Sequence, residues 1–428
     1  MNRSVKVAVI GAGVSGLVVA RELKRENHNV VVFEQNNRIG GNWIYDPKTE
    51  SDPLSIDPNR ETVHSSLYIS LRTNLPRQLM SFRDYPFVRS ESDPRMFPGH
   101  DEVLRFLDRF ADEFGINELT RFDTRVIRVE RGEEGWIVES LSRGSELVTR
   151  EVFESVVVCS GHNSSPRIAK IPGIEKWGGY QMHSHNYRVP EPFHDQIVLL
   201  VGYGPSAFDI AVDILKVAKE VHVAVKENPF GVKFQNLIYH DMIKCVNEDG
   251  SIAFQDGSSI FADTVIHCTG YHFPYLETKG IVTVEDECVG PLYKHIFPPS
   301  LAPWLSFIGI ISKEPIFAIV ELQAMWVARV LSGKILLPTE EEMMKSVQNI
   351  YDEMEKNGLP KTCALSLRPL QGDYKNWLAA QVGLPPLEVW RENLLIECFK
   401  KLVALPTKYR DQWDGAYWDS IIQTTSTL

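Results

Sequence analysis

Hydrophobic positions along this chain fall into short unbroken runs separated by helically spaced ones, the pattern of an α/β protein. Val7 to Ile10 is an apolar run that reads as a buried parallel strand. Leu17, Ala20 and Leu23 follow at helical spacing, and a second apolar run, Val30 to Phe33, comes next. The same order returns near the middle of the chain: Ile197 to Val201, then Ile210, Ala211, Ile214 and Leu215 on one helix face, then a strand from Val221 to Val225. Between the repeats, the spacing predicts a helix from Asp101 with Val103, Phe106, Leu107 and Phe110 inward and Gly115 as its stop. Thr124 to Val129 and Gly135 to Glu139 read as paired strands. Phe153 to Cys159 reads as a buried strand that exits at Ser160-Gly161-His162, and Thr264 to Cys268 repeats this exit at Thr269-Gly270-Tyr271. Pro166 to Pro192 is rich in proline and glycine and reads as a linker. A helix is expected over 315–332, and Thr339 with Glu342 forms a capping-box start for the next. In that next helix Met343, Met344, Val347, Ile350 and Met354 are spaced as a core face, and the remainder of the chain reads as mostly helical.

The turns inside the two repeats carry the chemistry. The first is Gly11-Ala12-Gly13-Val14-Ser15-Gly16, and Glu34 ends the strand that follows. In a strand–turn–helix–strand unit this is a dinucleotide-binding fingerprint. Gly11 permits the tight turn, Gly13 lets the backbone approach a pyrophosphate, and Gly16 lets helix and strand pack closely. The pyrophosphate sits on the free N–H groups of the helix start, and the Glu34 carboxylate suits ribose hydroxyls. A glycine pair, Gly40-Gly41, followed by Asn42 and Trp43, lets a further loop lie on the same dinucleotide, an arrangement similar to that of FAD-binding oxidoreductases with two dinucleotide folds. The second turn is Gly202-Tyr203-Gly204-Pro205-Ser206-Ala207, an accepted variant, and where the first unit has Glu34 the second has Lys226. A carboxylate suits a free ribose and a cation a ribose 2′-phosphate, so the first site fits FAD and the second NADPH. A solvated lysine at a strand end is the other reading of Lys226. The expected architecture is therefore α/β with two Rossmann-like domains, the NADPH domain (171–272) inserted into an FAD domain made of 1–170 and 273–428.

Composition narrows the classes. The 428 residues carry 45 Lys and Arg against 56 Asp and Glu, so no basic surplus exists to meet nucleic-acid phosphates. Six scattered cysteines form no C-x-x-C pair, which disfavours a zinc site and a dithiol–disulfide reductase. They read as buried thiols of a reducing compartment, and with no secretory signal a cytoplasmic location is expected. No apolar run is long enough to span a membrane, and the polar end of the chain does not read as an anchor.

The order GAGVSG, GGNW, LRTNLP, WGGYQMHSHNY, GYGPSA and CTGY resembles the flavin-containing monooxygenases. Trp177-x-Gly179-x-x-x-His183-x-x-x-Tyr187 is similar to their identifying stretch, with Trp177 where Phe is usual, and the segment from Asp52 to Arg77 looks most like the plant glucosinolate S-oxygenase branch. Tyr187-Arg188 stands where Baeyer–Villiger relatives have Trp-Pro, which favours heteroatom oxygenation. The resemblance implies that NADPH reduces FAD, that dioxygen adds at the flavin C4a carbon to give a hydroperoxide, and that a soft nucleophile takes the distal oxygen. It implies Asn74, beside Thr73, as the key side chain, near the flavin and nicotinamide; capping a turn before Pro76 is its other reading. His183 is implied to couple the two domains, or simply to hold the linker. Gln323 reads as a helix-surface residue, with a flavin-facing role as the lesser alternative. The expected substrate is a small thioether, of methylthioalkyl glucosinolate or S-alkyl cysteine type, with dioxygen. The alternatives are N-oxygenation of an amine, or an NADPH oxidase or reductase without oxygen insertion. No metal is expected.

Overall fold

A computed structural model describes residues 3–57, 60, 65–226, 234–273, 282–285, 288–312, 314–367 and 373–426. Two five-stranded parallel sheets organise it. In the first, the strand Lys6–Ile10 lies between Asn29–Phe33 and Ser155–Val158, with Thr120–Arg121 and Leu305–Phe307 at the edges. In the second, Ile197–Val201 lies between Glu220–Ala224 and Thr264–His267, with Leu237–His240 and Tyr180–His183 at the edges. The central strands are buried on both faces, which is why each reads as an unbroken apolar run.

The first sheet takes its last strand from beyond the second sheet, so the chain leaves one fold, completes another and returns. The two crossings meet: Ser165–Pro166 pairs antiparallel with Tyr271–His272, just after the expected strand exits. A three-stranded antiparallel sheet of Thr124–Arg131, Trp136–Ser142 and Val148–Phe153 flanks the first fold.

Three expectations need correction. The stretch 166–192 is not only linker, because Tyr180–His183 is an edge strand whose backbone pairs with Thr264–His267. Met343, Val347 and Met354 are buried, but Met344 is exposed, since it lies one position past the inward face of the helix Glu340–Lys356. Of the six free cysteines, Cys159, Cys288 and Cys398 are buried, whereas Cys245, Cys268 and Cys363 are half-buried. The helix His100–Glu113, the helix Ile316–Leu331 and the Thr339–Glu342 capping box form as expected.

Helix Val14–Arg25 and helix Ile316–Leu331 are fixed to each other by a buried ion pair, Arg21 Nη2 to Glu321 Oε1 at 2.6 Å. Asp84 and Glu22 also meet Arg21, and Glu321 Oε2 accepts from the Arg83 N–H, so the buried charges are shared among several hydrogen bonds. This pins the start of the second helix to the helix that begins at the first glycine turn.

Candidate functional site

A cavity of about 770 Å³ opens where four parallel strands of the first sheet end. Residues just past each strand line it: Gly11, Glu34, Cys159 and Gly309. Ligands of open parallel sheets bind in this position, outside the carboxyl ends of the strands. Gly13, Val14, Ser15, Gly41, Asn42 and Trp43 complete the expected part of the wall.

The glycines there are required for identifiable reasons. Gly11 has φ +101°, and a Cβ on it would lie 2.6 Å from the Cys159 carbonyl oxygen. A Cβ on Gly16 would lie 1.8 Å from the Gly11 oxygen, so helix and turn touch backbone to backbone. Gly41 would place its Cβ 2.9 Å from the Gly13 Cα, and Gly40 donates its N–H to the Ala12 oxygen at 3.0 Å. The glycine pair thus packs directly onto the turn. Gly13 itself would meet only Gly41, at an ordinary 3.6 Å, so the chain leaves room beside it for a ligand. No side chain caps the helix that starts at Val14. Its first N–H groups are thus available to an anion, as a dinucleotide pyrophosphate needs.

Ala12 and Gly16 do not line the cavity; they shape it. The Ala12 N–H donates to Glu34 Oε2 at 2.7 Å, and Asn36 donates to Oε1 from its N–H and its Nδ2. Burial pushes the Glu34 carboxyl up from its ordinary value, and these hydrogen bonds oppose the shift. The bonds fix the carboxylate at the strand end with acceptor capacity remaining for ribose hydroxyls.

The second turn repeats this construction. Gly202 has φ +90°, and its Cβ would lie 2.9 Å from the Cys268 carbonyl oxygen, the counterpart of Cys159. A Cβ on Gly204 would meet nothing within 4 Å, and the helix Pro205–Ile214 begins there without a side-chain cap. Pro205 and Ser206 are exposed at that helix start, and Ala207 is buried against the core. The Tyr203 hydroxyl lies 2.8 Å from that of Tyr239. Lys226 is exposed, two residues past the strand Glu220–Ala224.

Thr73 and Asn74 do not line the first cavity. Thr73 is buried and Asn74 exposed, on a loop where the Thr73 N–H donates to the Pro98 oxygen. Arg410 donates to Asn74 Oδ1, and its Nε donates to the Thr73 oxygen at 3.1 Å. Arg410 also makes a two-pronged ion pair with Asp209 of the second fold's first helix, at 3.0 and 2.8 Å.

His183 is buried and neutral by construction. Its Nδ1 accepts the His185 N–H at 3.1 Å, and its Nε2–H donates to the Gly270 oxygen. Burial pushes it down to about 3. Its own N–H donates to the Pro53 oxygen, so it joins the edge strand to both a crossing and the loop at Pro53. Gln323 is not a surface residue: it is fully buried, accepts from the Gly309 N–H at 3.4 Å and donates to the Tyr374 hydroxyl at 2.9 Å. The helix is apolar on nearly every side, which hides from its sequence which face is inward.

Several wall residues escaped the sequence reading. Arg125 of the antiparallel sheet and Arg143, in the turn after its strand Trp136–Ser142, add cations whose directions no motif encodes. Gly309 and Ser312 follow the returning strand; its run into a glycine resembles the exits at Gly161 and Gly270 and could have marked them. A second cavity of about 320 Å³ is walled by Leu79, Ala318, Leu387 and Leu395 with Lys375 and Arg391. It reaches Pro315, adjacent in sequence to Ile316 of the first cavity's wall. Among the described residues no His, Cys, Asp or Glu group could hold a metal ion, and no helix is long and apolar enough to cross a membrane.

The sequence profile of the flavin-binding monooxygenase-like family matches residues 4–233 and 225–386. The flavin-containing monooxygenase FMO GS-OX-like 4 of Arabidopsis thaliana is 51% identical over 428 residues, covering 96% of this chain and 95% of its own. The FMO GS-OX5 of the same plant is 51% identical over 424 residues, covering 96% and 92%. The structure of S-allyl-L-cysteine S-oxygenase from Allium sativum matches with a TM-score of 0.95 and 48% identity over 100% of both chains. With two glycine-turn cradles of the required form, the chain belongs to the flavin-binding monooxygenase-like family, as a monooxygenase that uses FAD and NADPH.

Proposed function

We propose that this enzyme S-oxygenates a small thioether, of methylthioalkyl glucosinolate or S-alkyl cysteine type. The balance is thioether, dioxygen, NADPH and a proton giving sulfoxide, NADP⁺ and water. The observation that carries this reading is the whole-length agreement with an S-allyl-L-cysteine S-oxygenase. In support, the cavity's cysteine is no nucleophile: burial pushes the Cys159 thiol far up, and Cys268 up to about 12. Thiol–disulfide chemistry is therefore disfavoured, as is a reductase that depends on it.

FAD, once reduced by NADPH, supplies the oxygen activation. The chain's part is to bind, orient and exclude water. Gly11, Gly13, Val14, Ser15 and Gly41 would hold the flavin pyrophosphate and Glu34 the ribose, with Ala12 and Gly16 shaping the turn behind them and Asn42 with Trp43 on the loop side. Gly202, Tyr203, Gly204, Pro205, Ser206 and Ala207 would hold NADPH, with Lys226 at its 2′-phosphate. Thr73 and Asn74 stand at the reacting end, where the Asn74 amide offers a hydrogen bond and does not titrate. The second cavity suits the thioether, with apolar walls for its alkyl part and a mixed-charge rim of Lys375, Glu388, Arg391 and Glu392 for an ionic end. We take 1–170 with 273–428 as the flavin domain and 171–272 as the NADPH domain. Six free thiols favour a reducing compartment such as the cytoplasm.

The test is aerobic incubation of the purified enzyme with NADPH and a panel of thioethers and amines, read by mass. One added oxygen on thioethers is expected. Oxygen added only to amines, or NADPH consumed with no oxygenated product, would replace this reading with N-oxygenation or oxidase activity.

A further inference from the structure

An asparagine amide has two nearly isosteric ends, one donating and one accepting. Which end faces a reaction decides what it can do. Asn74 is exposed, and its own loop does not fix the choice. The side chain that meets it comes from far along the chain. Arg410 donates to Asn74 Oδ1, and a guanidinium has donors only. Oδ1 must therefore turn toward Arg410 and Nδ2 away from it. Among the described residues no hydrogen bond engages Nδ2, so the donor end is left for a ligand.

Arg410 is itself rigidly held. Its two terminal nitrogens grip both Asp209 oxygens, at 3.0 and 2.8 Å, and its Nε holds the Thr73 carbonyl. Asp209 lies within the helix that starts at the second glycine turn. The Tyr68 hydroxyl adds a bond to Asp209 at 3.3 Å. Neighbouring contacts fasten the same segment: Arg72 Nη1 meets Asp411 Oδ1 at 2.5 Å, the Cys398 thiol faces the Asn74 backbone carbonyl oxygen at 3.5 Å, and Tyr409 packs edge-on against Phe97 at 5.4 Å. One planar group thus joins the Asn74 loop, the C-terminal segment and the first helix of the NADPH fold.

We propose that Arg410 is a positioning residue. It presents the Asn74 amide with Nδ2 outward and sets that amide against the NADPH fold through Asp209. This rests on the reading of Asn74 as the donor at the reacting end. A lysine can replace it only in part, because a single ammonium cannot grip a carboxylate two-pronged while meeting two oxygens of another loop.

The experiment compares Arg410→Met, Arg410→Lys, Asn74→Ala and the double variant Asn74→Ala/Arg410→Met in the full chain. It measures flavin content, anaerobic bleaching by NADPH, and sulfoxide and hydrogen peroxide formed per NADPH consumed. Arg410→Met is expected to keep its flavin and its bleaching but lose sulfoxide to peroxide, with coupling down about tenfold or more; a misplaced group costs up to about 10²-fold. Arg410→Lys should fall in between, and it serves as the test if the methionine variant does not fold. Because Arg410 acts through Asn74, the double variant should couple no worse than Asn74→Ala alone. Wild-type coupling in both Arg410 variants beside an uncoupled Asn74→Ala would overturn the proposal and leave the role of Asn74 standing. Independent, additive losses in the double variant would also overturn it. Wild-type coupling in Asn74→Ala would remove the role of Asn74 itself, and the proposal with it.

Discussion

Gly13 and Gly204 show how much a single position decides. Each sits at the start of a helix where a side chain would meet little or none of the protein, yet would stand in the path of a pyrophosphate. Gly13→Val is therefore expected to fold but to purify without flavin, seen as loss of the visible absorption at unchanged far-ultraviolet dichroism. Gly11 and Gly16 differ, since a Cβ there strikes backbone, and their variants are expected to misfold. Lys226 makes the coenzyme prediction. Lys226→Glu would repel a 2′-phosphate, so the ratio of kcat/KM for NADPH over NADH should fall toward one. A variant that kept the wild-type ratio would assign the 2′-phosphate to another cation. Both glycine turns were legible in the sequence because close backbone approach dictates Gly11, Gly16 and Gly202, and Glu34 because it ends the strand that follows the first turn. Arg125, Arg143 and Arg410 were not, because an arginine's partner depends on packing between distant segments.

At the scale of elements, the helix Ile316–Leu331 matters most, because its start lines the first cavity and its middle holds Gln323 against Gly309. The Arg21–Glu321 pair sets where that helix lies. Removing one partner of a buried pair leaves an uncompensated charge. Glu321→Leu should therefore lower stability by about 3 kcal/mol and weaken flavin retention, read by urea unfolding and by flavin release on heating. A loss within experimental error would mean that Asp84 and Glu22 suffice to hold Arg21. Most element starts and stops were legible from apolar runs, glycines and the Thr339–Glu342 box. The strand Tyr180–His183 was hidden among prolines and glycines, since an edge strand with one neighbour needs no continuous apolar run.

For the whole molecule, the insertion of one fold into another was legible because a strand running into glycine marks each crossing. The join between folds is rich in buried histidines, and this gives a pH dependence. His183 and His267 are pushed down to about 3 and about 4, mainly by burial. Both have Nδ1 accepting a backbone N–H, from His185 and Ala169, which a proton there would displace. In the unfolded chain each takes a proton near pH ~6.5. Below that pH the unfolded state binds more protons, so stability falls as pH drops from about 6.5 toward 4 and is level above it. The midpoint of urea unfolding, followed from pH 8 to 4, checks this, and His183→Gln should reduce the slope.

The central claim is oxygen transfer to sulfur driven by NADPH through a flavin held between Gly13, Gly41 and Glu34. The most direct measurement supplies the enzyme with NADPH, a thioether and ¹⁸O₂, and weighs the product while peroxide is counted. The account predicts a sulfoxide carrying one ¹⁸O atom for nearly every NADPH consumed. NADPH oxidised with all the reduced oxygen recovered as hydrogen peroxide, or a sulfoxide carrying oxygen from water, would contradict it.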